Sequence, residues 1–193
     1  MAEQFSLSLD SPLPVSGLSF RADAISTAEE ARLIAAIDRI DLPPFAFQRW
    51  TAKRRTKSFG YLYDFRNADF GPTEPIPDFL NPVRTIAAGF AGVATENLVQ
   101  VSIIRYDPGA GIGWHRDRPE LDAVIGFSLG APTVMRFRRR RGTAFERANI
   151  ALPPRSLYLL AGEVRYDWEH SIAPMDALRW SVTFRGLAAP QPG

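Results

Sequence analysis

The sequence predicts an α+β chain in which helices come first and cover a later antiparallel β core of the sandwich or jelly-roll kind. Three observations predict it. Two stretches with helical spacing precede Glu96, short β-rich runs separated by turn residues follow it, and strands do not alternate with helices as a parallel sheet would require. With 193 residues, 46% of them hydrophobic and 23% charged, the chain has the size of one domain and a composition that sets disorder and fibrous repeats aside. The expected organisation is one unit, 1–193, made of an N-terminal helical segment, 1–97, and a jelly-roll core, 98–187.

The stretch to about Ala24 mixes Ser, Pro and Leu without a sustained period and reads as extended chain packed on the body. Ser26 with Glu29 three residues on forms a capping box, and Leu33, Ile34, Ile37 and Ile40 line one helical face that Pro43 and Pro44 end. A basic cluster, Lys53, Arg54, Arg55 and Lys57, leads into Phe59–Tyr63, where aromatics recur at alternate positions as on a strand. Pro72, Pro75 and Pro77 interrupt regular structure before a second helix from about Asp78 to Ala91, with Pro82 tolerated in its first turns. The clearest strands of the β half are Leu98–Tyr106, Val124–Leu129, Val134–Arg138, Ser156–Leu160 and Arg179–Phe184.

Cysteine is absent, which removes disulfides, thiolate metal sites and cysteine nucleophiles together and makes a reducing cytoplasm the natural setting. No apolar run approaches the ~20 residues of a membrane span, and the first ten residues lack the basic-then-apolar order of a signal peptide. A soluble cytoplasmic monomer without membrane contact is expected. Twenty-three basic and 21 acidic residues give a net charge of +2, but all the basic residues except Lys53 and Lys57 are Arg. Arginine suits carboxylate and phosphate partners, although a coding bias explains the count equally well, so position must decide.

Both histidines stand near acids. On a strand, His115 and Asp117 would share a face and could offer imidazole nitrogen and carboxylate oxygen to one metal; the alternative is a surface pair. His170 follows a run that looks buried, where a structural histidine is the more ordinary reading. In Arg179–Arg185, Arg179, Ser181, Thr183 and Arg185 alternate with Trp180, Val182 and Phe184. If that polar face points into a β core, its guanidiniums must meet an anion; otherwise it is a solvated edge. Together, two His and one Asp make the facial triad that holds non-haem Fe(II), and two inward arginines could bind a dicarboxylate.

The stretch Ile103–Arg185 resembles the AlkB family of Fe(II)- and 2-oxoglutarate-dependent dioxygenases. The resemblance rests on Arg105-Tyr-Asp-Pro-Gly109, His115-Arg-Asp117, Phe127-Ser-Leu-Gly130, Ala161-Gly-Glu163, Trp168-Glu-His170 and the pair Arg179 and Arg185, in family order. Gly60-Tyr-Leu-Tyr63 is similar to the family's nucleotide-recognition lid, and 154–157 with Gly162–Tyr166 are similar to the branch that hydroxylates wobble uridines of tRNA. The resemblance implies a double-stranded β-helix with the helices packed on its major sheet. It implies iron ligation by His115, Asp117 and His170, and 2-oxoglutarate binding by Tyr106, Arg179 and Arg185. It implies activation of O2 with release of succinate and CO2, and a lid in which Arg54, Arg55, Tyr61 and Tyr63 meet the substrate.

Two departures bear on the substrate. Ile104 stands where many family members place an Asn that contacts the cosubstrate, and Pro119 where repair members carry a base-reading acid. Arg54 aligns near a base-stacking Trp and could stack by its planar guanidinium. The leading expectation is oxidative demethylation of N-alkylated bases in DNA or RNA, as in DNA repair. Alternatives are a tRNA wobble-uridine hydroxylase, a protein side-chain dioxygenase, and a binding module without turnover. A second basic run, Arg136 with Arg138–Arg141, is either a nucleic-acid contact or a solvated strand end and loop tip.

Overall fold

The computed structural model describes residues 13–47, 50–64 and 69–189. Helix α1, Thr27–Ile37, starts at the expected capping box: Glu29 N–H donates to Ser26 Oγ at 3.2 Å and Ser26 N–H to Glu29 Oε2 at 2.7 Å. It ends at Asp38, before the prolines, because Pro44 already begins strand β2, Pro44–Phe47. A single 3-10 turn, Asp78–Leu80, precedes α2, Asn81–Ala91, which takes Pro82 in its first turn, where no N–H is needed, and stops at left-handed Gly92. The buried face formed by Leu33 and Ile37 of α1 with Val83 and Ala87 of α2 packs on Val101, Ile103, Ile125, Phe127, Leu157, Val182 and Phe184.

Those last residues belong to a seven-stranded antiparallel sheet. In spatial order it runs β1 (Leu18–Arg21), β11 (Ser156–Leu160), β8 (Leu121–Gly130), β13 (Arg179–Leu187), β6 (Gln100–Tyr106), β3 (Trp50–Phe59) and β2. A four-stranded sheet faces it, in the order β10 (Ala144–Leu152), β9 (Thr133–Arg141), β12 (Glu169–Ile172) and β7 (Ile112–His115). Met135, Phe137, Ile150 and Leu152 of the smaller sheet meet Val124, Tyr158 and Leu160 of the larger. The strand order is that of a jelly roll, β11-β8-β13-β6 over β10-β9-β12-β7, with α1 and α2 outside on the larger sheet.

The structure refines the sequence reading at two points and decides an alternative at a third. The basic cluster lies within β3, which runs between β6 and the edge strand β2 and pairs with β6 from Arg55 to Phe59. The aromatic alternation at 59–63 is broken at Gly60, which adopts φ +82°, and a Cβ there would fall 1.9 Å from the Val99 carbonyl oxygen. Beyond it, β4 (Tyr61–Asp64) and β5 (Asp69–Pro72) form a separate ribbon with Tyr61 stacked on Phe70 at 5.6 Å. Finally, β13 is interior to its sheet, so its polar face is buried. Among the described residues no helix is long and apolar enough to cross a membrane.

Candidate active site

Strands β7 and β12 are neighbours, and His115 and His170 are directly paired Cα partners across them. Their rings lie 4.3 Å apart between centroids. His115 Nδ1 is 2.9 Å from the Gly113 carbonyl oxygen, which can only accept, so Nδ1 is the donor in that contact. Asp117 lies in the loop just after β7 rather than on the strand. Its Oδ1 accepts from Arg185 at 3.1 Å, while its buried Oδ2 has no hydrogen-bond partner and faces His170 Nε2 at 3.9 Å. The orphaned oxygen beside two imidazoles is the donor set that a facial-triad metal requires.

The three donors stand slightly apart. Neighbouring ligands ~2.1 Å from an ion at right angles are ~3 Å from each other, and among the described residues no acid or histidine cluster is closed to that degree. The 3.9 Å gap is one that small side-chain rotations close. Protonation already favours it. Burial opposes charge on Asp117, but Arg185 and then the two histidines outweigh it and hold the carboxyl well below the usual carboxylate range. Burial, reinforced by His115, pushes His170 down to about 3, so its imidazole is neutral near pH 7, as a ligand must be.

The loop bearing Asp117 is clamped by a residue that the sequence did not single out for a role. Helix α3, Gly162–Tyr166, presents Arg165, which donates to the carbonyl oxygens of Leu121 (2.6 Å), Arg118 (2.7 Å), Asp122 (2.9 Å) and Asp117 (3.3 Å). At 4% exposure the guanidinium replaces the water that these carbonyls would otherwise need.

Alternate residues of β13 point between the sheets. Arg179 is 0% exposed; it donates to Ser128 Oγ at 3.2 and 3.3 Å and is hydrogen-bonded to the Tyr106 phenol, leaving a buried Nη1 unpartnered. Its guanidinium carbon lies 5.0 Å from the Tyr106 ring centroid. A buried cation met by neutral hydroxyls, with one nitrogen left over, is an anion site. Arg185, besides holding Asp117, donates to Gln100 Oε1 at 3.0 Å. Between them lies a second buried phenol, Tyr158, bonded to Thr183 and crossing Gly126, where a Cβ would sit 2.2 Å from its ring. Gln100 and Tyr158 were missed; their signal was the alternation of polar groups at Gln100, Ser102 and Tyr106 on β6 and at Ser156 and Tyr158 on β11, interrupted by Ile104 and Leu160.

Burial raises the Tyr106 and Tyr158 phenols above their ordinary range against the pull of Arg179. Their folded-state values exceed the unfolded one of ~10, so the stability they contribute is present below that pH and is lost as pH rises further. In an alkaline titration followed by tyrosinate absorbance, both are expected to ionise only as the protein unfolds; ionisation of all tyrosines before unfolding would contradict their burial.

The lid residues divide. Arg54 is buried, its guanidinium 4.1 Å over the Phe45 ring; burial lowers its pKa and the nearby Tyr106 acts against that shift, so it stands on the interior side. Arg55, next on the strand, faces the helices, donating to the Leu42 carbonyl at 3.3 Å and lying 3.7 Å from Asp107. It lines a separate cleft of about 440 Å³ with Asp38, Asp41 and Arg105, whose charges answer one another. Tyr61 packs on Phe70, and the side chain of Tyr63 lies outside the described residues.

Residues 44–185 match the family model described as 2OG-Fe(II) oxygenase superfamily. The chain is 32% identical over 190 residues to the Arabidopsis thaliana alkylated DNA repair protein ALKBH8 homolog, covering 85% of this chain and 53% of that protein. It is 32% identical over 181 residues to the Mus musculus tRNA (carboxymethyluridine(34)-5-O)-methyltransferase ALKBH8, covering 88% of this chain and 26% of that one. It therefore spans about half and about a quarter of these two relatives. With the Salmonella typhimurium alpha-ketoglutarate-dependent dioxygenase AlkB it shares 32% over 155 residues, covering 72% of this chain and 67% of the relative. Among solved structures, OsALKBH1 superposes with a TM-score of 0.64 at 13% identity over 88% of this chain and 96% of its own. A Pseudomonas putida prolyl-4-hydroxylase gives 0.59 at 15% identity, covering 90% and 94%, and confirms the shared jelly-roll fold. The chain belongs to the 2OG-Fe(II) oxygenase superfamily, in its AlkB-like branch, and is an oxidoreductase whose cofactors are Fe(II), 2-oxoglutarate and O2.

Proposed function

We propose that the protein oxidises nucleic acid, removing N-linked alkyl groups from bases of DNA or RNA, with His115, Asp117 and His170 holding the iron. The observation that carries the reading is the pairing of an orphaned carboxylate oxygen on Asp117 with an anion-seeking Arg179 in one buried interior. When bound, iron supplies the activation of O2 that is coupled to decarboxylation of 2-oxoglutarate. The chain's own residues do the rest. Arg179 and Tyr106 would hold the distal carboxylate of the cosubstrate, a charged partner that the neutral Ser128 hydroxyl does not replace. Arg185 keeps Asp117 ionised and fixes which oxygen is free. Arg54 offers a planar cation to an extruded base. The Arabidopsis relative's name, an alkylated DNA repair protein, supports the alkylated-base chemistry, and the Salmonella relative's supports the alpha-ketoglutarate-dependent dioxygenase chemistry.

A second reading, hydroxylation of a wobble uridine in tRNA, draws on the mouse relative named for a position-34 uridine modification and on Pro119, which offers a base no hydrogen bond. Mass spectrometry of nucleosides from methylated DNA and from total tRNA, incubated with Fe(II) and 2-oxoglutarate, tests both. Loss of an N-methyl nucleoside with formaldehyde release is expected. A uridine derivative heavier by one oxygen would select the second reading, and no change in any nucleoside would overturn both in favour of a protein target.

Arg179→Ala is expected to raise the KM for 2-oxoglutarate at least ~100-fold, since charge-assisted hydrogen bonds contribute roughly 1.5–3 kcal/mol each. Succinate formation against cosubstrate concentration measures it. An unchanged requirement would remove Arg179 from the site.

A further inference from the structure

We infer that the outer face of the four-stranded sheet is a second nucleic-acid contact, a phosphate-binding surface separate from the lid; this deepens the nucleic-acid reading above and rests on it. Along β9, Met135 and Phe137 enter the core, so Arg136, Arg138 and Arg140 project from the opposite face. The register places Phe145 and Arg147 of β10 beside Arg140 and Arg138. Trp114 lies under the same arginines, with guanidinium carbons of Arg136 and Arg138 at 5.3 and 4.6 Å from its ring centroid. Phe145 carries three more contacts, Arg138 at 4.6, Arg140 at 5.1 and Arg147 at 5.7 Å. Arg116 joins Arg138, Arg140 and Phe145 around a depression of about 230 Å³ in which Glu169, bonded to Arg138 at 2.6 Å, is the lining carboxylate.

The contrast is in pairing, since Arg139 also lines that depression. Arg139 pairs with Glu146 and Glu163, and Arg141 with Glu146. Among the described residues Arg116, Arg136, Arg140 and Arg147 have no ion pair, so charge is matched at Arg138, Arg139 and Arg141 and left unmatched at these four. Arg136 Nε and its register neighbour Ser171 Oγ are buried without hydrogen-bond partners. Guanidiniums stacked on aromatic rings stay flat and keep their N–H edges for an oxyanion, the geometry that suits phosphate. From Arg136 to Arg140 the strand runs ~13 Å, the length of about four nucleotides of one strand at ~3.4 Å each. His170 sits between Glu169 and Ser171, and His115 between Trp114 and Arg116, so this face and the candidate metal ligands are alternate side chains of the same strands.

The test is the double variant Arg140→Glu/Arg147→Glu, neither residue belonging to the candidate site, with Arg140→Gln/Arg147→Gln as the milder form. Fluorescence anisotropy with a tRNA transcript and a single-stranded DNA oligonucleotide, across a salt series, is expected to show at least about tenfold weaker binding in the charge-reversed protein. The slope of log K against log salt should fall by about two. The Gln variant should lose less, and both should keep the wild-type unfolding midpoint and KM for 2-oxoglutarate. Wild-type affinity and slope in the Glu variant, with nucleoside oxidation intact, would overturn this inference alone. Failure of the unaltered protein to bind or oxidise either polymer would overturn the nucleic-acid reading with it. Arginine-dependent binding to phosphatidylserine vesicles but not to the polymers would reassign the surface to a membrane and overturn the inference.

Discussion

Asp117→Ala is expected to lower Fe(II)- and 2-oxoglutarate-dependent turnover at least about a thousand-fold and to lower folding stability by ~3 kcal/mol. The activity loss follows from removing the one anionic donor of the candidate triad, whose free oxygen meets His170. The stability loss has a separate origin: Arg185 is 8% exposed, and without Asp117 its partners are the neutral Gln100, Ser102 and a backbone carbonyl. Asp117→Asn preserves shape and an acceptor for Arg185, so it should recover part of the stability and none of the turnover. Succinate formation and urea unfolding of the two variants separate these effects. Turnover that survives in either variant would reject Asp117 as a ligand.

Arg165→Ala is expected to destabilise the fold by about 4 kcal/mol, because it leaves four carbonyl groups of the 117–122 loop without their shared donor and opens a cavity beneath them. Arg165→Lys should recover little, since an ammonium with three protons on a single nitrogen cannot reproduce a planar fork that meets four acceptors. The loop carries Asp117, so metal affinity measured with Co(II) or Mn(II) should fall along with the urea midpoint. A variant with wild-type stability would show that water replaces the guanidinium without cost.

Much of this was readable from the chain. The capping box at Ser26, the period of Leu33 and Ile37, and the alternation in 179–185 are local signals, and the structure places each as those signals require. Strand β10 was harder, since Ala-Phe-Glu-Arg-Ala-Asn-Ile-Ala-Leu has neither clean alternation nor many β-branched residues; it is a strand because Arg138–Arg141 and their neighbours pair with it. Strands β7 and β12 are only four residues long, too short for a period to declare itself, although they carry both histidines. Which way Arg54 and Arg55 face depends on the register of β3 against β6, a long-range fact that no local pattern contains. Arg165 resembles any helical arginine until the carbonyls it meets, more than 40 residues away, are brought to it.

Helix α1 also decides how much of the chain must be made for the rest to stand. Glu30 accepts from the Gly130 N–H at 2.9 Å and from Arg155 at 3.3 Å, and Asp38 just beyond the helix accepts from the Trp180 indole at 3.1 Å. These acceptors meet the end of β8 and the residue beside Arg179. A fragment trimmed to residues 44–185 would keep the proposed ligands yet lose those acceptors and bare an apolar sheet, so it should be recovered as aggregate rather than as a minimal enzyme.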